Sequence, residues 1–167
     1  VLEAFGAKRV LRMREQEARN WAHPERGEVF IFPGHEWWNN IVPIDSVNEK
    51  ERVIALASDC SYEISPEDRY YVMGLIEELD APGEWCVDAA GETLHFWPPA
   101  SLAGNPVTVP TMRTMLEIEG AKHITVQGVT FECCDGTAVV VKDSENCLVA
   151  GCTIRNAGDY NGSGMSV

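Results

Sequence analysis

The sequence predicts an all-β protein in which a β-rich segment precedes the first coils of a β-solenoid. From Gly27 onwards, short apolar runs such as GEVFIFP and RVIALAS are bounded by turn residues, a pattern typical of strands. Towards the C-terminus an internal repeat takes over, and its units are too short to bury an apolar side unless successive copies stack. We therefore expect a β-rich accessory segment over residues 1–110 and solenoid coils over residues 111–167, truncated at GSGMSV.

Two stretches of the first segment are ambiguous. Polar faces over residues 1–22 predict an N-terminal amphipathic helix, although Gly6 and the early β-branched residues disfavour it. The run RYYVMGLIEEL (69–79) has apolar residues at helical spacing, yet its first half equally fits a strand.

A β-hairpin is predicted at the end of this segment. EWCVD (84–88) and TLHFWPP (93–99) flank the four-residue connection AAGE, in which Gly91 can adopt a positive φ. The two prolines then end the second strand, because neither can donate to a ladder. We expect Trp85 and Trp97 to be packing residues, since a hairpin is held together by aromatic cross-strand pairs.

The repeat becomes visible when HITVQGVTF (123–131) is aligned with NCLVAGCTI (146–154), at an offset of 23 residues. The following GTAVVV (136–141) aligns with GSGMSV (162–167) at an offset of 26, so three residues are inserted in the intervening turn. Stacked units of this kind predict parallel strand pairing between units. The strands of the first unit are expected at 123–127, 129–132 and 137–142.

The same alignment assigns roles to individual side chains. Cys147 and Cys152 are predicted to be small apolar fillers inside the stack. Glu132 is aligned with Arg155, which predicts an ion pair between units. Alternation gives the inward set of the first unit as Ile124, Val126, Val129, Phe131, Val139 and Val141, with bends at Gly128 and Gly151.

Charge and composition restrict the partners. The net charge is −13, and residues 28–167 alone carry seven Lys/Arg against twenty-two Asp/Glu. Such a body repels phosphate backbones, so no nucleic acid is expected, and a neutral or cationic ligand fits better; a solvated acidic surface is the alternative. No run of 18 apolar residues occurs, so no membrane partner is expected. The six cysteines show neither C-x-x-C nor zinc-site spacing, so no metal and no cofactor is predicted.

The block ELDAPGEWCVD…GETLHFWPP, followed by LEIEGAKHITVQGVTFE and ENCLVAGCTIRNAG, resembles bacterial right-handed parallel β-helix proteins among the carbohydrate-active enzymes. These include β-helix glycoside hydrolases of the xylosidase and fucosidase/xylanase types. The likeness covers roughly residues 27–167, and its most specific element is LDAPGEW followed by a hairpin ending in WPP.

This resemblance implies a right-handed parallel β-helix, with residues 1–110 as an inserted β-rich segment and 117–167 as the resuming coils. It also implies a plant or algal-type polysaccharide or oligosaccharide as substrate, with the main catalytic carboxylates beyond Val167. A polymer substrate would favour a secreted or periplasmic protein, and imported oligosaccharides a cytoplasmic one.

Asp135 and Asp159 are the candidate catalytic residues within the chain. Glycoside hydrolysis needs two carboxyl groups about 5–5.5 Å apart for retention or roughly 6.5–9.5 Å for inversion. Both aspartates precede the third strand of their unit. The alternative for Asp135 is turn formation, because Asp-Gly is a common turn dipeptide, and the three-residue insertion can separate Asp159 from it.

Trp37 and Trp38, in GHEWWNN, are the candidate substrate-binding residues. Sugar rings expose C–H faces that stack on indole, whereas the alternative is a structural role in a β core. If both lie in a strand, at most one is in the core with the other exposed, because adjacent side chains point to opposite faces. The neighbouring His35 and Glu36 are expected at the surface.

Two other functions stay open on the same fold. A polysaccharide lyase would need a basic residue that removes the C5 proton of a uronate, and Lys142 and Arg155 are the basic residues of the later coils. A non-catalytic β-helix module would instead use Trp37 or Trp38 to bind glycan. Paired carboxylates one coil apart would favour the hydrolase.

Overall fold

The computed structural model describes residues 7–17, 19–158 and 165–166. Within these residues the chain forms fourteen β-strands and three short 3₁₀ helices, with no α-helix, so the predicted all-β class is confirmed. The chain divides into two compact units, Val1–Ser101 and Leu102–Val167.

The first unit is built on a curled, five-stranded antiparallel sheet. The strand order is β1-β4-β3-β2-β5, and β3 carries a bulge between Ile44 and Ser46. The strands are β1 (Val10–Arg12), β2 (Glu28–Ile31), β3 (Asn40–Asn48), β4 (Val53–Leu56) and β5 (Tyr70–Met73).

The core of this unit lies on one face of the sheet. Along β2, Val29 and Ile31 are fully buried while Glu28 and Phe30 on the other face are half-buried, as strand alternation requires. The rest of the core includes Leu11, Met13, Trp21, Val42, Ile44, Ile54, Leu56, Cys60 and Leu75. Phe30 therefore lies on the outer face of the sheet, where it is partly exposed.

The expected N-terminal helix is not found in the described part of residues 1–22. Val10–Arg12 form an edge strand instead, because Leu11 and Met13 are buried while Arg12 between them is exposed. A 3₁₀ turn follows at Glu15–Glu17, and a second at Pro24–Arg26. The ambiguous run 69–79 contains the strand β5 and then a 3₁₀ turn at Ile76–Glu78.

The predicted hairpin is confirmed as β6 (Trp85–Asp88) and β7 (Thr93–Phe96), with Trp85 opposite Phe96. The packing role of its tryptophans is wrong, because Trp85 is 66% exposed and Trp97 45% exposed. Cys86 lies on the opposite face of β6 from Trp85 and is buried, so the hairpin turns its aromatic face outwards.

The second unit consists of short strands that pair only in parallel within the described residues. Val126 pairs with Val149 at the predicted offset of 23, and Val139 pairs with Met165 at the predicted offset of 26. The repeat alignment is therefore confirmed, including the change of offset from 23 to 26. The strands are β8 (Leu116–Glu119), β9 (Thr125–Gln127), β10 (Thr130–Cys134), β11 (Val139–Lys142), β12 (Leu148–Ala150), β13 (Thr153–Ala157) and β14 (Met165–Ser166).

Bends between these strands recur with the same period. The predicted bends at Gly128 and Gly151 are confirmed, with φ of 69° and 60°. Such left-handed conformations strain most side chains, but glycine adopts them freely and Asn, Asp and His are enriched among the exceptions. The positive-φ pairs one repeat apart are Gly120 and Asp143, His123 and Asn146, Gly128 and Gly151, and Cys133 and Asn156.

The inward set is confirmed only in part. Phe131 and Val139 are buried, and Val126 and Val141 pack against them, whereas Ile124 and Val129 are 40% and 41% exposed. The strands β9 and β10 that flank these two residues each pair on one side only within the described chain. A side chain at such an edge is covered by one neighbouring repeat rather than by two. Cys147 and Cys152 are half-buried free thiols.

The predicted ion pair between successive repeats is confirmed, since Arg155 lies 2.7 Å from Glu132. Lys122 pairs in the same way with Glu145 at 2.8 Å. Each exposed ion pair of this kind stabilises a protein by about 0.2–1 kcal/mol. These pairs therefore favour the register of the repeats but contribute little to the stability of the second unit.

Candidate functional site

A group of exposed aromatic side chains projects from two loops of the first unit. We call His35, Trp37, Trp38 and Tyr62 the loop aromatic group. Trp37 is 71% exposed and Trp38 49% exposed. The Trp37 and Trp38 ring centroids lie 6.0 Å apart edge-on, His35 stacks on Trp37 at 6.2 Å, and Tyr62 meets His35 edge-on at 4.9 Å.

Neither tryptophan lies in the core. Both lie in the turn that joins β2 to β3, outside the strands, so the alternation of strand side chains does not apply to them. His35 and Glu36 are exposed in the same turn, as expected.

Hydrogen bonds hold Trp38 in place. Its indole Nε1 donates to Ser61 Oγ at 3.1 Å, and Asn40 Nδ2 donates to the same oxygen at 3.1 Å. The Ser61 backbone N–H in turn donates to Asn40 Oδ1 at 2.9 Å. These hydrogen bonds connect the start of β3 to the loop that follows β4, which places Tyr62 next to His35.

The carboxylate of Asp68 ties the same two loops together. It accepts from the Gly34 backbone N–H at 3.1 and 3.2 Å and from the Ser65 N–H at 2.8 Å. Gly34 has a φ of +66°, and a Cβ there would lie 3.2 Å from Tyr62 Cβ. The turn that joins β2 to β3, the aromatic turn, is thus held by hydrogen bonds and close packing within the protein itself.

Replacing Asp68 with Ala is expected to loosen the loop aromatic group. The Gly34 and Ser65 N–H groups lose their acceptor, which we expect to lower the free energy of unfolding by about 1 kcal/mol because both can turn to water instead. Urea denaturation measures this. Glu67→Ala is the matched control, since within the described chain that carboxylate accepts no hydrogen bond. An equal loss of unfolding free energy in both variants would contradict a stabilising role for the Asp68 hydrogen bonds.

A second aromatic group lies on the outer face of the sheet. We call Phe30, Phe32 and Tyr71 the sheet-face group. Phe30 and Tyr71 are cross-strand partners whose rings stack at 4.8 Å and 9°, and Phe32 meets Phe30 edge-on at 5.3 Å. Arg69 lies over the Phe32 ring at 4.9 Å.

A groove of about 530 Å³ lies between the hairpin and the turn at Ile76–Glu78. Its charged groups are mostly engaged within the protein. Arg26 lies 3.6 Å from Asp88, and Glu77 accepts from the Ala22 N–H at 2.9 Å. Burial raises the pKa of the Cys86 thiol on its wall, so that sulfur stays protonated at neutral pH and is a weak nucleophile.

Asp135 lies exposed in the turn between β10 and β11. Its backbone N–H donates to Met112 O at 2.9 Å, and a Cβ on the following Gly136 would lie 2.6 Å from Arg113 O. This close backbone approach requires Gly136, which matches the interpretation of Asp-Gly as a turn dipeptide. Asp159, the expected catalytic partner, lies outside the described residues.

All six cysteines are free thiols. Burial raises the pKa of Cys60 to about 11, so it too is a poor nucleophile at neutral pH. Within the described residues no three His, Cys, Asp or Glu side chains are grouped so that they could hold a metal ion. No helix in that part of the chain is long and apolar enough to cross a membrane.

The sequence pointed to Trp37 and Trp38 but not to Asn40, Tyr62 or Asp68, which complete the group. These residues come from separate parts of the chain, and only the β2–β3–β4 pairing brings them together. Comparison with protein-family models, with curated proteins and with solved structures finds no match to this chain.

Proposed function

We propose that the first unit binds carbohydrate through the loop aromatic group, as part of a carbohydrate-active protein. The observation that carries the proposal is the 71% exposure of Trp37 within a hydrogen-bonded turn. Large aromatic side chains clustered at a surface mark interaction sites more often than single exposed residues do. An indole face matches the C–H face of a sugar ring, and within the described residues the Trp37 N–H donates to no protein group.

Preorganisation supports this function. The Asp68 and Ser61 hydrogen bonds hold the turn in one arrangement, so less conformational entropy is lost on binding. Ser61 contacts Trp38, Asn40 contacts Ser61 and Glu36 precedes Trp37 in the chain, so polar atoms that can exchange hydrogen bonds with hydroxyl groups lie near the tryptophans. The net charge of −13 favours a neutral glycan over a polyanionic one.

We propose that the second unit forms the first coils of a right-handed parallel β-helix. Parallel pairing at an offset of 23 in β9–β12 and β10–β13 supports it, as do the bends that recur with that period. In a β-helix each coil is stabilised by stacking on the neighbouring coils. This agrees with the larger exposure of Ile124 and Val129, which are covered by a neighbouring coil on one side only.

Glycoside hydrolysis is the second candidate function. Parallel stacking brings matched residues of neighbouring coils about 4.8 Å apart, close to the carboxyl separation that a retaining mechanism uses. Asp135 is exposed at the turn before β11, but the register that pairs Cys134 with Ala157 places Gly158 opposite it, so the second carboxylate would come from another position. The reaction would use one carboxylic acid to protonate the leaving oxygen and a second carboxylate as nucleophile or base.

A lyase receives less support. Lys142 lies 2.9 Å from Glu117 and Arg155 lies 2.7 Å from Glu132. The hydrogen bond to Glu117 raises the pKa of Lys142 above its usual value, which keeps the amine protonated and makes it a poor base for proton abstraction.

Calorimetric titration with neutral and uronate-containing oligosaccharides tests the binding function. We expect saturable binding of at least one neutral series and much weaker binding of its uronate counterpart, because the protein is acidic. Preferred binding of the uronates would favour the lyase, and binding of neither class would contradict the proposal.

A further inference from the structure

The loop aromatic group and the sheet-face group are joined by Arg69. Its guanidinium lies over the Phe32 ring at 4.9 Å, and its Nε lies 3.8 Å from the Glu36 carboxylate in the aromatic turn. Glu36 is the chain neighbour of Trp37. Arg69 therefore contacts Phe32 of the sheet-face group and, through Glu36, the turn that carries Trp37.

From Phe32 the surface continues along the sheet. Phe30 contacts Phe32 at 5.3 Å, and Tyr71 stacks on Phe30 at 4.8 Å across the β2–β5 pairing. Tyr71 is 54% exposed. Phe32, Phe30 and Tyr71 thus form a continuous run of ring contacts, and Arg69 connects this run to the turn that carries Trp37. Trp37 and Tyr71 lie at opposite ends of this series of contacts.

The middle of this run suits a neutral, hydroxyl-rich ligand. Arg69 and Glu36 compensate each other's charge, and their side chains are 62% and 85% exposed. At 3.8 Å the contact with Glu36 is an ion pair that is too long for a hydrogen bond, so the N–H donors of the guanidinium can donate to hydroxyl oxygens. A purely apolar partner would remove water from these polar groups without replacing its hydrogen bonds.

We propose that the ligand of this site is a linear neutral oligosaccharide that occupies both aromatic groups at once, with one sugar ring on Trp37 and another on Tyr71. The inference rests on the proposed carbohydrate-binding function and specifies its ligand as a chain of several units rather than a single sugar. Arg69 donates hydrogen bonds to the sugar residues that lie between those stacked on Trp37 and Tyr71.

The test is a length series. Neutral xylo-, cello- and manno-oligosaccharides, from the monosaccharide to the hexasaccharide, are titrated calorimetrically into the wild type, Tyr71→Ala and Tyr71→Phe. For a series that binds, affinity is expected to rise with length. Tyr71→Ala is expected to lower hexasaccharide affinity about five- to tenfold, the range of one aromatic contact, and to leave disaccharide affinity unchanged.

Tyr71→Phe keeps the ring and is expected to bind the hexasaccharide as the wild type does. Circular dichroism of both variants checks that the sheet is intact. Equal affinity for the disaccharide and the hexasaccharide, or an equal loss for both in Tyr71→Ala, would overturn the extended site while leaving the Trp37 site standing. Absence of binding at every length would instead overturn the proposed function together with this extension.

Discussion

Replacing Trp37 with Ala is expected to weaken oligosaccharide binding by roughly 30-fold without changing the stability of the protein. The side chain is 71% exposed, so its removal opens no cavity. An aromatic anchor of a binding site commonly contributes about 2 kcal/mol or more, which corresponds to a loss of affinity of roughly 30-fold. Calorimetric titration gives the affinity and thermal melting gives the stability.

Trp85→Ala is the matched control for this prediction. Trp85 is 66% exposed, comparable with Trp37, but it lies on the hairpin and outside both aromatic groups. We expect its replacement to leave the affinity unchanged. Equal losses in the two variants would show that exposed indole binds glycan anywhere on this surface, which would contradict a defined site.

Replacing Val139 with Asp is expected to unfold the second unit. Val139 is fully buried in β11, between β8 and β14, and packs in the cluster that contains Phe131 and Ala138. A carboxylate placed there has no partner for its charge, and the cost of about 4 kcal/mol or more is a large part of the stability of an ordinary domain. Loss of amide protection in β8 and β11, measured by hydrogen exchange, is the expected result.

Val129→Asp provides the contrast. This residue belongs to the same predicted inward set, but it is 41% exposed. Its new carboxylate can reach water, so we expect a loss below about 1 kcal/mol. Comparable amide protection of β8 and β11 in the Val139→Asp and Val129→Asp variants would mean that β11 does not lie in a packed core.

The second unit was the more predictable of the two, because its structure follows from a repeat. Pairing of Val126 with Val149 and of Val139 with Met165 could be read from the alignment, since each unit meets a copy of itself at the same positions. The ion pair of Glu132 with Arg155 followed from the same register. Burial was less predictable, because Ile124 and Val129 depend on whether a neighbour covers both of their sides.

The candidate site was predictable only at Trp37 and Trp38. Tyr62 and Asp68 lie far from them along the chain, and nothing local links them to the aromatic turn. Their approach depends on the antiparallel pairing of β2, β3 and β4 and on the Asp68 hydrogen bonds. Local patterns carry no information about such long-range pairings.

The sequence by itself determined the all-β class, the hairpin and the register of the repeat, because period-two alternation, turn residues and self-similarity are local properties of the chain. The tertiary structure alone decided which side of the hairpin faces the core and how far the inward side chains of the repeats are covered. It buried Cys86 and exposed Trp85, and it left Trp37 and Trp38 together at the surface. Burial depends on what packs against an element, and those partners come from distant parts of the chain.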